Sequence, residues 1–95
     1  MSDGEPTLKY VIAWSDERNL CTLVEAKLQA RTGANDVLRL GDDGFVVHSA
    51  DEPAAIRDSI SGVLRDGESV LVFEFERWSG FGQGIDARWL MKRGH

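Results

Sequence analysis

The hydrophobic pattern of this chain switches repeatedly between the period of a strand and the period of a helix, and the order of the switches restricts the folds open to it. The most regular strand pattern runs from Glu68 to Trp78 (ESVLVFEFERW). Leu71, Phe73 and Phe75 make one face of that strand fully apolar, whereas the opposite face turns acidic near its end. This alternation predicts a strand with two chemically different faces.

Three further stretches have strand character. The run LKYVIAWS, from Leu8 to Ser15, carries apolar residues on both parities, as in a central strand covered on both faces. Val37 to Leu40 and Phe45 to His48 flank the sequence GDDG. An Asp-Gly pair between two such runs predicts a hairpin, because glycine accepts positive φ.

Two amphipathic helices separate these strands. In SDERNLCTLVEAKLQARTG, leucines and a valine recur at helical spacing, Ser15 or Asp16 is expected to cap the free amides, and Gly33 supplies the stop. In SADEPAAIRDSISGVLRDG, Ser49 and Glu52 fit a capping box and Pro53 suits a first turn. Gly67 is expected to mark the end of this second helix, and the final stretch IDARWLMKR predicts a short terminal helix.

The resulting order, β-α-β-β-α-β with a C-terminal extension, predicts an α+β fold of the ferredoxin-like type. We expect an antiparallel four-stranded sheet with two helices on one face and a short C-terminal helical extension, formed by residues 8–95 behind a loose tail at 1–7. The other sheet face must meet solvent, the C-terminal segment or another subunit. A large uncovered apolar face favours a homodimer.

Charge and composition restrict the partners. The formal net charge of −5 repels phosphates on average, so nucleic-acid binding requires a local basic patch. Arg88, Lys92 and Arg93 form one candidate patch, although cations at a helix end also complement the helix dipole. The lone Cys21 permits no internal disulfide and favours a cytoplasmic location, with the thiol as a small buried hydrophobe. No apolar run approaches the length of a membrane helix, so no membrane partner is expected.

Three stretches together resemble a known family. They are KYVIAWSDE, DEPAAIRDSISGVL and, most specifically, ESVLVFEFERWSGFG, within residues 9–92. The chain resembles the small SinR-family proteins, relatives of the VapD toxin and of the small CRISPR-associated adaptation endoribonuclease. The resemblance implies a ferredoxin-like fold, a dimer, and a role in a toxin-antitoxin or defence setting. For catalytic members it also implies RNA or DNA cleavage at a divalent metal.

The family's metal-binding position departs from its pattern here. The resemblance places an Asp from each subunit at the end of the first strand, but that position is Ser15, and Asp16 follows one residue later. A slip of one residue in a strand points a side chain to the opposite face, and serine is a poor ligand for magnesium. We therefore favour a non-catalytic homodimeric interaction or regulatory module with no cofactor. The alternative is a Mg- or Mn-dependent endonuclease in which Asp16 is the catalytic residue and metal ligand.

The glycine-rich stretch RWSGFGQG between the last strand and the terminal helix has two interpretations. A dinucleotide loop requires G-x-G-x-x-G between the first strand and a full helix, whereas these glycines read G-x-G-x-G near the end of the chain. We interpret the stretch as a bend that lets Trp78, Phe81 and Trp89 pack against the sheet. An aromatic surface for stacking single-stranded bases is the alternative. With Phe73 and Phe75, these aromatic residues are the candidates for core packing or an interface.

The remaining polar candidates have ordinary explanations. Asp42 and Asp43 are interpreted as turn residues rather than metal ligands, because no further ligands follow at suitable spacing. Glu74 and Glu76 share a face and fit either an acidic pair or a solvated strand end. His48 lies at a strand end without a partner that the sequence can place, and His95 is terminal.

Overall fold

A computed structural model describes residues 5–41, 44–80, 82 and 84–93 of the chain. The described elements follow one another as strands, helices and one short 3₁₀ turn: β1 (Thr7–Trp14), α1 (Cys21–Thr32), the 3₁₀ turn (Ala34–Asp36), β2 (Val37–Leu40), β3 (Gly44–Ser49), α2 (Pro53–Ser61), β4 (Ser69–Phe75) and α3 (Ala87–Lys92). The first strand begins at Thr7, one residue earlier than the sequence predicts. No helix among the described residues is long and apolar enough to cross a membrane.

The four strands form one sheet in the order β2-β3-β1-β4, and every neighbouring pair is antiparallel. Strand β1 is central, which explains why its apolar residues occur on both parities. Leu8 illustrates the register, because it lies opposite His48 of β3 and Phe75 of β4. The predicted α+β class with a four-stranded antiparallel sheet is confirmed, and the architecture is compatible with a small ferredoxin-like fold.

Helices α1 and α2 pack on one face of the sheet and form the main core. Its buried members come from both helices, from β1 and β3, and from the segment before α1: Val11, Ala13, Leu20, Cys21, Val24, Leu28, Phe45, Val47, Ile56 and Ile60. Each fully buried aliphatic or aromatic side chain contributes about 1.5–3 kcal/mol of transfer free energy. This cluster is therefore the main source of stability in the fold.

The C-terminal segment packs on the opposite face of the same sheet. A second cluster joins Leu90 of α3 to sheet residues and to half-buried neighbours, namely Leu8, Tyr10, Leu38, Leu40, Val46, Phe75, Trp78, Ile85 and Trp89. The sequence allowed solvent, the C-terminal segment or another subunit on this face. The C-terminal segment of the same chain covers one part of it. The part that it does not cover lies where β1 ends and β4 begins.

Helix ends follow the sequence only in part. The expectation that Ser15 or Asp16 caps α1 is wrong, because the helix begins at Cys21 and the side chain of Asn19 accepts the Cys21 amide at 2.7 Å. Gly33 is confirmed as the stop, with φ of 95° and its amide donating to the Gln29 carbonyl. The six-residue connection before α1 is held by a distant residue, Glu68, which local capping rules cannot reveal.

The second helix begins with Pro53 in its first turn, as predicted. The capping box does not form, because the Ser49 hydroxyl accepts the Asp51 amide at 2.9 Å and Glu52 precedes the helix. The helix ends at Ser61, so Gly67, with φ of 85°, lies in the turn that leads to β4.

The glycine-rich bend leads the chain from β4 to α3. Gly82 has φ of 123°, in the region that favours glycine, and a Cβ on Gly80 would lie 3.2 Å from the Ile85 side chain. Helix α3 begins where Asp86 accepts the Trp89 amide at 3.0 Å. The predictions for Asp42, Asp43, Phe81 and His95 lie outside the described residues.

Candidate functional site

The end of β1 is the position at which the resemblance places a metal-binding Asp. Ser15, which occupies it, donates a hydrogen bond to Glu68 Oε2 at 3.0 Å and accepts the Glu17 amide at 3.1 Å. The hydroxyl therefore stabilises the connection between β1 and α1. Its acceptor belongs to the connection between α2 and β4.

Glu68 is the centre of this arrangement. Its side chain is only 4% exposed, and Arg18 binds it through two parallel bonds of 2.7 Å, from Nε to Oε2 and from Nη2 to Oε1. The Arg65 amide donates a further bond of 2.7 Å to Oε1. Chiefly through the Arg18 hydrogen bonds, these contacts lower the pKa of Glu68 from 4.5 to about 2. The pair joins two connections that are far apart in the chain.

Asp16 lies beside this ion pair but takes no part in it. The residue is exposed and lines an open cleft of about 500 Å³ formed by residues 13–20. Within the described part of the chain, no group of three or more His, Cys, Asp or Glu side chains is arranged to hold a metal ion. Asp16 and its exposed neighbour Glu17 therefore belong to no described cluster of three or more metal-ligating side chains.

Replacing Glu68 tests the structural role of this cluster through its pH dependence. A folded-state pKa below the unfolded value stabilises the fold above pH 4.5, and this contribution is lost as the pH falls towards 2. In that window, unfolding of the wild type takes up about one proton more than unfolding of Glu68→Gln. Urea unfolding of both proteins between pH 2 and 7 measures the difference. Arg18→Gln is expected to reproduce the change, and parallel pH curves for Glu68→Gln and the wild type would contradict it.

Glu74 belongs to a separate network at the start of β1, in which Glu74 is exposed and Lys9 is buried. The Lys9 amine donates to Thr7 Oγ1 and to the Ser49 carbonyl, both at 2.6 Å, and the Thr7 hydroxyl donates to Glu74 Oε2 at 2.6 Å. The Lys9 side chain is 2% exposed, and this burial lowers its pKa. Glu76 lies beyond the end of the strand and is exposed. Glu74 is therefore engaged with Lys9 and Thr7, a long-range arrangement that the sequence does not reveal.

The other polar candidates are dispersed. His48 Nδ1 lies 4.0 Å from Asp36 Oδ1, a partner that sequence reasoning does not find, and Asp36 also pairs with Arg93 at 3.2 Å. Arg93 further stacks on the Trp89 ring at 3.9 Å from its centroid. Cys21 is buried in the helix-side core, as predicted.

Large hydrophobic side chains are exposed on the part of the second sheet face that the C-terminal segment leaves uncovered. Trp14 is 45% exposed, Leu71 46% and Phe73 49%. Phe73 stacks on Tyr10, with ring centroids 6.4 Å apart and planes inclined by 12°, and Tyr10 joins the cluster beneath α3. We call the surface formed by Trp14, Leu71 and Phe73 the recess, because the C-terminal segment is layered on the adjoining part of the face.

The predicted interface and packing candidates therefore separate into two groups. Phe73 lies in the recess, Phe75, Trp78 and Trp89 join the cluster beneath α3, and Phe81 lies outside the described residues. The indole N–H of Trp78 is buried and has no acceptor among the residues that the structure describes.

Sequence reasoning missed the exposure of Trp14 and Leu71 in the recess and of Met91 on α3, which is 66% exposed. The signal for Leu71 was present, since it shares the apolar face of β4 with Phe73. Trp14 is the last of the alternate β1 residues that face the same side of the sheet as Leu71. Its exposure depends on how much of that side the C-terminal segment covers.

Comparison with protein-family models, with curated proteins and with solved structures gives no significant match to this chain.

Proposed function

We propose that this protein is a non-catalytic homodimeric module that acts through protein contacts, with the recess as its self-association surface. The observation that carries the proposal is the clustering of Trp14, Leu71 and Phe73, all about half exposed, on one sheet face. Contiguous apolar patches of this kind mark association sites. Aromatic side chains contribute disproportionately to the free energy of association.

We also propose that the fold is ferredoxin-like and that the protein is related to the SinR family. The sheet order β2-β3-β1-β4 and the alternation of strands and helices support a ferredoxin-like βαββαβ arrangement. The sequence resemblance to SinR-family proteins supports a regulatory role in a toxin-antitoxin or defence setting.

The chemistry at the end of β1 supports the non-catalytic interpretation over the endonuclease alternative. Where the resemblance expects a carboxylate, the Ser15 hydroxyl donates to Glu68, and the Glu68 carboxylate is bound by Arg18 in two parallel bonds. Because these bonds already satisfy Glu68, the endonuclease alternative depends on Asp16.

A cleavage assay tests this part of the proposal. Purified protein with Mg²⁺ or Mn²⁺ is expected to leave labelled single-stranded RNA and duplex DNA intact, because the position at which the resemblance expects a metal-binding Asp is Ser15, and serine is a poor ligand for magnesium. The assay compares the wild type with Asp16→Ala. Metal-dependent cleavage by the wild type that Asp16→Ala abolishes would replace the proposed function with the endonuclease alternative.

A further inference from the structure

Helix α3 presents two chemically different surfaces. Trp89, Leu90 and Arg93 contact the domain: the first two join the cluster on the sheet, and Arg93 binds Asp36 and the Trp89 ring. Met91 and Lys92 lie three and four residues after Arg88, so both neighbour it on the opposite side of the helix, and all three are exposed. The outer side of α3 is thus one large apolar side chain flanked by two cations.

The recess offers the complementary chemistry. Its floor is apolar, and Asp16 and Glu17, two and three residues after Trp14, line an open cleft together with Trp14 at the end of β1. Both acidic residues are exposed, and their carboxylates form no hydrogen bond or ion pair with the described part of the chain. The same holds for the head groups of Arg88 and Lys92, so two cations and two anions of one protein have no described ionic partner.

We infer that the two copies of the dimer dock reciprocally, with the outer side of α3 of each copy seated in the recess of the other. This inference rests on the proposed function and specifies its interface. Met91 would pack on Trp14, Leu71 and Phe73, while Arg88 and Lys92 would approach Asp16 and Glu17 of the second copy.

Symmetry and charge favour this arrangement over direct stacking of one recess on the other. A twofold axis repeats each contact, so the outer side of α3 and the recess form the same contact twice in one dimer. A net charge of −5 on each copy opposes association. Pairing the cations of α3 with Asp16 and Glu17 offsets this repulsion, whereas stacked recesses would bring these acidic residues of both copies together.

Two charge-reversed variants test the inference. The first carries Arg88→Glu and Lys92→Glu, and the second carries Asp16→Lys and Glu17→Lys. Each variant alone is expected to dissociate at least about tenfold more readily than the wild type, because like charges then meet at both copies of the contact. An equimolar mixture is expected to form a heterodimer within about threefold of wild-type affinity, because both contacts again join opposite charges. Sedimentation velocity at low salt measures all three samples, with Lys27→Glu on α1 as the control that leaves association unchanged.

The outcomes separate this inference from the proposed function. Restoration in the mixture supports reciprocal docking. Weakened association of the second variant cannot arise from net charge, because its two substitutions raise the formal charge by 4, from the −5 of the wild type to −1, which is closer to neutral. A wild-type dimer with a mixture no tighter than its components, or with variants that associate normally, would overturn reciprocal docking and leave the homodimer intact. A wild type that is monomeric throughout would overturn both.

Discussion

Phe73→Asp is expected to raise the dissociation constant of the proposed homodimer by at least about 30-fold. Phe73 is 49% exposed in the recess and stacks on Tyr10, which joins the cluster beneath α3. An aromatic hot-spot residue of an interface contributes about 2 kcal/mol or more to association. An aspartate there would also have to lose its hydration when the partner docks. Sedimentation equilibrium from about 1 to 100 μM measures the change.

The matched control places the same charge on the far side of the domain. Ala26 is exposed on α1, which packs on the other sheet face, so Ala26→Asp is expected to keep wild-type association. Circular dichroism establishes that both variants are folded. Equal dissociation constants for the two folded variants would show that the recess is not the association surface.

Leu90→Ala is expected to lower the free energy of unfolding by about 2–5 kcal/mol. Leu90 is 5% exposed and is the α3 residue buried most deeply against the second sheet face. Its truncation removes apolar burial and leaves a cavity above Leu8 and Val46. Urea unfolding measures the loss. Leu90→Ala is made together with Phe73→Asp, which is expected to weaken the dimer, so that the loss reports packing within one chain.

Met91→Ala in the same background is the control for this experiment. Met91 is adjacent in the same helix but 66% exposed, so its truncation in the monomer is expected to change the unfolding free energy by less than about 0.5 kcal/mol. Equal losses of unfolding free energy for Leu90→Ala and Met91→Ala, or no loss for either variant, would show that α3 is not docked on its own sheet.

Hydrophobic periodicity was sufficient to predict the elements and their class. The mixed parity of Leu8 to Ser15 correctly indicated a central strand. The alternation from Leu71 to Phe75 separated the two faces of β4, but Leu71 and Phe73 on the fully apolar face are about half exposed, whereas Val72 on the opposite face packs against the helix-side core. Ile85 and Trp89, four residues apart, were expected to face the domain, and both join the cluster beneath α3. These inferences depend only on the spacing of apolar residues within one element, and that spacing follows directly from which side of the element is buried.

The contacts at the candidate site depend on residues that are distant in the chain. Arg18 and Glu68 are separated by 50 residues, and Lys9 and Ser49 by 40, so no spacing rule brings either pair together. Ser15 and Asp16 resemble helix caps locally, yet Glu68 draws Ser15 away from the helix. The extent of the recess is also not local, because it is set by where α3 stops on the sheet.

The most direct test of the central claim is the mass of the wild-type protein in solution. Multi-angle light scattering and sedimentation equilibrium at micromolar concentration are predicted to give twice the mass of the 95-residue chain. The dimer should dissociate on dilution, with Trp14 fluorescence reporting the exposure of the recess in single-Trp variants. A compact monomer at 100 μM, with Trp14 equally exposed at every concentration, would contradict the account.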